Sequence, residues 1–190
     1  MNQDPVVPTH THSLREHTAS TVTIIVAISE GSGVIGHADR LPWDVPADYA
    51  HYLNAVRGAT VIMGRKSFAT FGADLTSRRC LVITRQTEWE HPTCPCEVST
   101  CADLPSALEQ ATAHGDPIFV AGGQAIYEAA LEGDHIDRLM ISWIPGSHTG
   151  DRHFPPLPAK RFRLIAQSQR TGYRLCILER APAPSRRRPR

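Results

Sequence analysis

The sequence predicts an α/β fold in which a largely parallel β-sheet is covered on both faces by helices. Short apolar, β-branched runs alternate along the chain with segments of helical periodicity, which is the pattern of parallel strands joined by helices. The first run, residues 21–29, is wholly apolar through its middle, as expected for a central strand buried on both faces. Near the C-terminus, residues 162–167 and 173–179 flank Gly172 and predict an antiparallel hairpin.

One folded domain over residues 21–180 is expected, because 190 residues with 41% hydrophobic content can bury a substantial core. Residues 1–20 are polar, histidine-rich and without periodicity, and residues 181–190 are rich in arginine and proline, so both segments are predicted to be disordered tails. The chain carries +1, of which the last ten residues contribute +4 and the first twenty −1, so the domain carries −2. This charge argues against nucleic-acid binding by the folded domain.

Neither a membrane span nor a secretion signal is evident in the sequence. No apolar run approaches the length needed to cross a bilayer, and the first twenty residues lack the basic start and apolar core of a signal peptide. We therefore expect a cytoplasmic protein without membrane contact, and a monomer in the absence of an oligomerisation signal.

The five cysteines are an odd number in a chain of this length and do not form the pattern of a secreted disulfide framework. Cys94, Cys96 and Cys101 lie near His91, so a zinc site is conceivable. Reduced thiols in or beside a loop are the more common interpretation, because structural zinc usually needs four well-spaced ligands. No metal is therefore predicted.

The first strand leads through a loop into a helix. Gly31, Gly33 and Gly36 indicate a flexible loop. The helix begins near Pro46, because proline is favoured in the first turn and Asp48 complements the positive end of the dipole. Its apolar residues recur at helical spacing and are predicted to face the core. They are Tyr49, Tyr52, Leu53 and Val56, with Gly58 ending the helix.

The rest of the domain alternates between strand and helix. A short helix is predicted directly after Gly64, a second over residues 104–114 ended by Gly115, and a third over residues 124–131. The strands between them are apolar and β-branched. They are predicted over residues 60–63, 80–83, 97–99, 118–121 and 139–144.

Open α/β sheets bind ligands beyond the carboxyl ends of their strands, so the residues that follow the predicted strands are candidate site residues. This edge of the sheet would collect glycines, helix N-termini, cations and one carboxylate, which is the composition of a phosphate-rich cofactor site next to an acid. In chain order, these residues are Trp43, Asp48, Gly64, Arg65, Lys66, Thr84, Arg85, Gly122 and Gly123.

The candidate cofactor site favours NADP over NAD. Gly122 and Gly123 precede a predicted helix, where backbone N–H groups can approach a pyrophosphate. The chain lacks GxGxxG and GxxxxGK[ST], and no acid follows a later strand to hold a ribose 2′-hydroxyl. Thr84, Arg85 and Arg65 offer a hydroxyl and two cations that suit a 2′-phosphate instead. Solvated arginines at loop ends are common and are the alternative interpretation.

Asp48 is the candidate catalytic acid. An acid in the first helical turn commonly does no more than complement the helix dipole. Tyr52 lies four residues on and therefore over Asp48 on the same helix face, and Ala47, Tyr49 and Trp43 are neighbours in sequence. A carboxyl surrounded by these side chains is expected to be partly desolvated, which raises its pKa and suits proton transfer. Neither GxSxG, HExxH nor a paired second carboxylate supports another catalytic class.

Several motifs then occur in a specific order: IIVAIS, GVIG, LPWDVPAD, TVIMGRKSF, FVAGGQAIY and, after a late strand with Ser142, GDRHFP. From about residue 21 to 180 this order and spacing resemble the dihydrofolate reductases. The resemblance implies one domain with a mostly parallel eight-stranded sheet, a C-terminal antiparallel hairpin and about four flanking helices. It implies an oxidoreductase that reduces 7,8-dihydrofolate to tetrahydrofolate with NADPH, serves one-carbon metabolism and thymidylate supply, and is an antifolate target.

The resemblance also implies roles for individual residues. Asp48 would bind the pterin's amino group and ring nitrogen and promote protonation at N5. Trp43 would contact a water and the nicotinamide side of the site, and Ser142 would hydrogen-bond the acid. Arg78 would pair with the α-carboxylate of the substrate's glutamate. The implied substrate-binding residues are Ile25, Val26, Ala27, Leu41, Tyr49, Tyr52, Phe71, Leu75, Arg78, Ala121 and Tyr127. The implied cofactor-binding residues are Ala27, Ile35, Gly36, Gly64, Arg65, Lys66, Ser67, Ile83, Thr84, Arg85, Ala121, Gly122, Gly123, Gln124, Ala125 and Ile126.

Two further features follow from the resemblance, and several positions depart from it. Gly122 and Gly123 match a pair usually joined by a cis peptide, and residues 31–41 match a mobile loop that closes over the site. Ser142 stands where threonine is usual, Gln124 replaces a third glycine and Tyr52 replaces phenylalanine. The alternatives are the reductase of riboflavin biosynthesis, which shares the fold and NADPH but does not need LPWxxPxD, and a catalytically inactive nucleotide-binding or scaffolding module.

Overall fold

A computed structural model describes residues 20–86, 88–158 and 160–182 of the chain. The strands are β1 (Val22–Ser29), β2 (Val34–Gly36), β3 (Thr60–Gly64), β4 (Arg79–Ile83), β5 (Glu97–Cys101), β6 (Ile118–Val120), β7 (Arg138–Ile144), β8 (Arg152–His153), β9 (Phe162–Arg170) and β10 (Tyr173–Arg180). The helices are α1 (Pro46–Ala55), α2 (Arg65–Phe71), α3 (Leu104–His114) and α4 (Gln124–Glu132), and a 3₁₀ turn covers Gly72–Asp74.

Eight of these strands form one sheet in the order β5-β4-β3-β6-β1-β7-β10-β9. β1 lies between β6 and β7 and is parallel to both, and β3, β4 and β5 continue the parallel arrangement. Only β10 pairs antiparallel within this sheet, with β7 on one side and β9 on the other. The predicted α/β fold, the central position of the first strand and the C-terminal hairpin are confirmed.

The core divides into two apolar layers, one on each face of the sheet, because successive strand residues point to opposite faces. Ile24 and Val26 of β1 pack with buried residues of α3 and α4, whereas Ile25, between them, packs with Phe68 of α2 and Val56. Burial on both faces explains why the middle of β1 contains only apolar residues.

The helix α3 has the bounds that its sequence predicts. Asp103 is its N-cap, and the Asp103 carboxylate accepts a hydrogen bond from the backbone N–H of Ser106 at 2.9 Å. Gly115 closes the helix with a φ of 71°, a left-handed conformation that favours glycine. Its four buried residues, Leu104, Ala107, Leu108 and Ala111, form the stripe expected from the periodicity.

The helix α1 is less deeply buried than its apolar periodicity predicted. Asp48 is the only residue of this helix that is buried, and Tyr49, Tyr52 and Leu53 are partly exposed. Tyr52 nevertheless packs against the core layer that contains Phe68, as predicted. Tyr49 and Tyr52 also border a cavity, which leaves both residues partly exposed. Val56 is fully buried, directly after the helix end.

The glycine-containing loop after β1 contains a strand that the sequence did not predict. Val34–Gly36 forms β2 and pairs antiparallel with β8. A side chain on Gly150, just before β8, would collide with the Gly36 carbonyl and with Val34, so this close approach requires glycine. The loop is therefore anchored at its middle, although its composition indicated only flexibility.

The described residues also bear on the membrane and metal predictions. None of the helices in this part of the chain is long and apolar enough to cross a bilayer. The five cysteines are free thiols, and Cys94 and Cys96 pack against the buried Cys80. Within the same ranges, no group of three or more metal-ligating side chains is placed to hold an ion. The two predicted tails lie almost wholly outside the described residues.

Candidate active site

Two cavities meet at the carboxyl ends of the central strands. The larger has a volume of about 680 Å³ and the smaller about 110 Å³. Five residues line both, so the cavities adjoin: Ile35, Leu41, Ser67, Phe71 and Gly123. This is the edge of the sheet at which the sequence predicted a ligand site.

Asp48 provides the carboxylate of the smaller cavity. The Asp48 side chain is placed by the first turn of α1, where its backbone N–H donates to the Val45 carbonyl at 3.0 Å. Only 6% of the residue is exposed. Burial raises the pKa of the Asp48 carboxyl, while the Ser142 hydroxyl, as a hydrogen-bonding partner, and the charge of His51 act in the opposite direction. A carboxyl with a raised pKa can take part in proton transfer near neutral pH.

Ser142 reaches Asp48 from the neighbouring side of the sheet. It lies on β7, in register with Ala27 of β1, and is buried. A hydroxyl at this position keeps a polar partner for the carboxylate inside an otherwise apolar wall. The pairing of β1 with β7 therefore places Ala27, Ser142 and Asp48 around one cavity.

Tyr127 of α4 closes the inner wall of the smaller cavity. The Tyr127 hydroxyl donates to the backbone carbonyl of Ile25 at 2.8 Å, and the side chain is buried. Burial raises the pKa of Tyr127 well above its ordinary value, so the hydroxyl stays protonated and remains a donor. This bond links α4 to the central strand at the cavity.

We expect Tyr127→Phe to lower the free energy of unfolding by about 1–2 kcal/mol, because the change leaves a buried carbonyl without its donor. Tyr49→Phe is the matched control, since the Tyr49 hydroxyl bonds Asp74 at an exposed position. Urea denaturation of both variants measures the effect. Equal, small losses in the two variants would show that the Ile25 bond does not stabilise the fold.

The larger cavity combines cations with the start of a helix. Arg65 and Lys66 open α2 directly after β3, and Thr84 and Arg85 follow β4. Beside the start of α2, Gly123 is the N-cap of α4, where backbone N–H groups attract anions. Cations and a helix N-terminus around one cavity of this size fit a nucleotide cofactor with several phosphates.

The turn at Gly122 and Gly123 lies where the two cavities adjoin. The peptide between them is cis, as expected, and Gly122 has a φ of 98°. A side chain on Gly122 would come within 3.0 Å of the Tyr127 hydroxyl, and the Gly122 carbonyl accepts a hydrogen bond from Gly64 N–H at 2.7 Å. The close approach of α4, β1 and β3 therefore requires glycine at this turn.

Most of the predicted site residues lie around these two cavities. Asp48 and Ser142 line the smaller one together with the predicted substrate-binding residues Ile25, Val26, Ala27, Leu41, Tyr49, Tyr52, Phe71, Ala121 and Tyr127. The larger one is lined by the predicted cofactor-binding residues Ile35, Gly36, Gly64, Arg65, Lys66, Ser67, Ile83, Thr84, Arg85, Gly123, Gln124, Ala125 and Ile126. Their roles stay predictions.

Three predicted residues do not line either cavity. Leu75 is almost completely buried in the core beneath α2. Arg78 is largely exposed and forms an ion pair with Asp116 at 3.3 Å. Trp43 packs against the ring of His148, with the ring centroids 5.3 Å apart, and its buried Nε1 has no hydrogen-bond partner within the described ranges. That free donor is compatible with the predicted water contact of Trp43.

Other cavity residues were not predicted from the sequence. His51 lines the smaller cavity, and its position three residues after Asp48 was the signal that could have identified it. Arg152 reaches the larger cavity from β8, a strand that the sequence did not predict. The remaining unpredicted residues of the larger cavity are His37, Asp39, Arg40, Thr70, Gln86 and Glu128.

Sequence comparison connects this arrangement with known proteins. Residues 21–176 match the family described as dihydrofolate reductase. The chain is 32% identical over 134 residues to dihydrofolate reductase type 3 of Salmonella typhimurium, covering 70% of this chain and 78% of the relative. It is 31% identical over 149 residues to dihydrofolate reductase type A13 of Escherichia coli, covering 78% of this chain and 86% of the relative.

Structural comparison agrees at the level of the fold. The structure is similar to dihydrofolate reductase from Enterococcus faecalis, which was solved as a complex with NADP(H) and RAB-propyl. The TM-score is 0.73, the sequence identity is 20%, and the match covers 85% of this chain and 97% of the other.

Proposed function

Because this chain belongs to the dihydrofolate reductase family, we propose that it reduces 7,8-dihydrofolate to 5,6,7,8-tetrahydrofolate with NADPH. The observation that carries the proposal is Asp48, the one buried carboxylate among the described residues, in a small cavity that adjoins a larger cavity lined by cations. The smaller cavity suits a flat heterocycle, and the larger one suits a phosphate-bearing dinucleotide.

When bound, NADPH would supply the hydride for reduction of the pterin at C6. The protein residues supply orientation, exclusion of water and electrostatics. The Asp48 carboxylate accepts hydrogen bonds from the amino group and ring nitrogen of the pterin, and this fixes which face of the ring meets the adjoining cavity. Its negative charge also favours the positive charge that develops when N5 takes a proton from water.

The residues that line the cavity around Asp48 strengthen the electrostatic effect of its carboxylate. Ile25 is buried and Ala27 and Ala121 are partly buried, and this apolar wall weakens the screening of the carboxylate by solvent. Ser142, which lines the same cavity, gives the carboxylate a hydroxyl partner from the protein. The carboxylate can therefore keep its orientation while the ligand binds.

The larger cavity would hold the cofactor through its phosphates. Arg65, Thr84 and Arg85 lie together on one side, where they suit the 2′-phosphate that distinguishes NADPH from NADH. The N-terminus of α4, at Gly123 and Gln124, suits the pyrophosphate. Ala121 and Gly122 line the smaller cavity, where they would contact the nicotinamide next to the pterin.

The decisive experiment mixes the purified protein with NADPH and dihydrofolate and follows the loss of NADPH absorbance and the formation of tetrahydrofolate. A parallel reaction contains the ribosylamino-pyrimidine substrate of riboflavin biosynthesis instead. We expect NADPH consumption with dihydrofolate only. Consumption with the pyrimidine alone would assign the rival reductase, and NADPH binding without consumption in either reaction would assign an inactive nucleotide-binding module. A role in one-carbon metabolism, a cytoplasmic location and a monomeric state stay predictions.

A further inference from the structure

His51 is a second titratable side chain in the small cavity, and the proposed mechanism does not use it. It lies three residues after Asp48 on α1, so the two side chains project from the same face of the helix, and both line the cavity. The Nε2 atom of His51 is buried and finds no hydrogen-bond partner in the part of the chain that the structure describes. A buried polar atom without a partner at a ligand cavity calls for a functional explanation.

The groups around His51 come from three elements. Asp48 is on its own helix, Arg170 ends β9, and Tyr173 begins β10. The Tyr173 ring lies against the imidazole, with the centroids 6.0 Å apart and the planes at 33°, which restricts the imidazole's orientation. The hairpin of β9 and β10 therefore holds His51 at the cavity beside the carboxylate.

The charges of these groups act on His51 in opposite directions. Burial lowers the pKa of His51, the Asp48 carboxylate raises it, and the Arg170 guanidinium lowers it further. Burial raises the pKa of Tyr173 most, and the Asp48 carboxylate raises it further. The charge of Asp48 therefore acts on both His51 and Tyr173. The charges of Asp48 and His51 thus each stabilise the charged form of the other.

On the premise of the function proposed above, we propose that His51 is a positioning residue whose charge sets how readily Asp48 and the bound pterin take up the proton that accompanies the hydride. A protonated imidazole beside Asp48 favours the carboxylate and opposes uptake of a further proton, whereas a neutral imidazole does not. His51 would thus determine the pH range in which the site holds its proton.

Two variants with opposite charge test this role. The reduction consumes one proton, so kcat/KM declines at high pH, where the site holds none. His51→Arg places a permanent cation beside Asp48 and should move the midpoint of this decline to lower pH. His51→Gln removes the titratable charge, so its midpoint should lie at a higher pH than that of the arginine variant. The midpoint of the wild type should equal that of the glutamine variant or lie at a lower pH. On the alkaline limb, the two variants should differ about two- to fivefold in kcat/KM, as expected for partly screened charges.

A role of His51 in packing alone predicts a different result. Both variants would then lose activity at every pH, and their midpoints would coincide. Coincident midpoints, or a midpoint that is higher in the arginine variant than in the glutamine variant, would overturn the inference while leaving the proposed reduction of dihydrofolate intact.

A second measurement needs no turnover. The titration of the His51 ring proton followed by NMR should shift to lower pH in Asp48→Asn, because the carboxylate that favours the imidazolium is lost. His114, an exposed residue at the end of α3, is the internal control and should not shift. An unchanged His51 titration overturns the inference, even if the protein proves not to reduce dihydrofolate.

Discussion

Replacing Asp48 with asparagine is expected to slow dihydrofolate reduction at neutral pH by about 10²- to 10⁴-fold. Asparagine has a similar shape but cannot carry the negative charge that favours protonation of the pterin at N5. Activity should recover partly in acid, where solvent protonates the substrate directly. The measurement is the pH dependence of kcat for the wild type and the variant. Full activity of the variant at neutral pH would rule out Asp48 as the acid of the site.

A matched control is Glu109→Gln, which also removes one carboxylate charge. Glu109 is exposed on α3, which packs in the core layer on the opposite face of the sheet from α2. This variant should keep the wild-type pH dependence. If both variants lost activity alike, the loss would report a general change of charge rather than the chemistry of the small cavity.

The Asp48→Asn variant should also be at least as stable as the wild type at neutral pH. The unfolded chain holds Asp48 near its ordinary pKa of 3.8, and burial raises the pKa in the folded protein. The stabilising contribution of this group is therefore fully present below that value and is lost as the pH rises through the folded pKa. Asparagine removes the cost of burying the charge, so we expect an equal or higher Tm at pH 7. A clearly lower Tm would show that the charged form is fully compensated by its partners.

Replacing Arg65 with alanine is expected to weaken NADPH binding about 10- to 100-fold and to change NADH binding by less than about threefold. A charge-assisted hydrogen bond contributes about 1.5–3 kcal/mol, and only NADPH carries the 2′-phosphate that would receive it. Arg65 begins α2 and faces the cavity with Thr84 and Arg85, so removing it leaves the core untouched. Fluorescence titration of both cofactors measures the difference.

Arg163→Ala is the control for this variant, because Arg163 is exposed on β9, at the far edge of the sheet from the cavity. It should bind NADPH and NADH like the wild type, and high salt should reduce the difference between the Arg65 variant and the wild type. If Arg65→Ala weakened both cofactors to the same extent, Arg65 would not be the 2′-phosphate contact.

The sheet and most of its helices could be predicted because their signals are local. The apolar middle of β1 requires burial on both faces, and α3 carries an N-cap at Asp103, an apolar stripe and a terminating glycine at Gly115. Each of these signals lies within about ten residues of the element that it predicts. The position of the glycines and cations that follow the strands could also be predicted, since parallel strands bring their carboxyl ends to one edge of the sheet.

The elements that were missed or misjudged depend on distant partners. β2 is three residues long and exists through pairing with β8, more than a hundred residues later. α1 has the periodicity of a core helix, but Tyr49 and Tyr52 on its apolar side also line the small cavity and stay partly exposed. Periodicity identifies which residues share a face, but it does not identify what that face meets.

The site shows the same division. The sequence by itself determined that Asp48 opens a helix near a glycine-rich turn and a set of cations, and it favoured NADP. Only the tertiary structure decided which side chains meet: Ser142 reaches Asp48 through the pairing of β1 and β7, and Arg78 pairs with Asp116. His51 gains its importance from the β9–β10 hairpin, which brings Arg170 and Tyr173 to it. The reason is physical, because desolvation and Coulomb energies depend on distances through space, and those distances exist only once the sheet has formed.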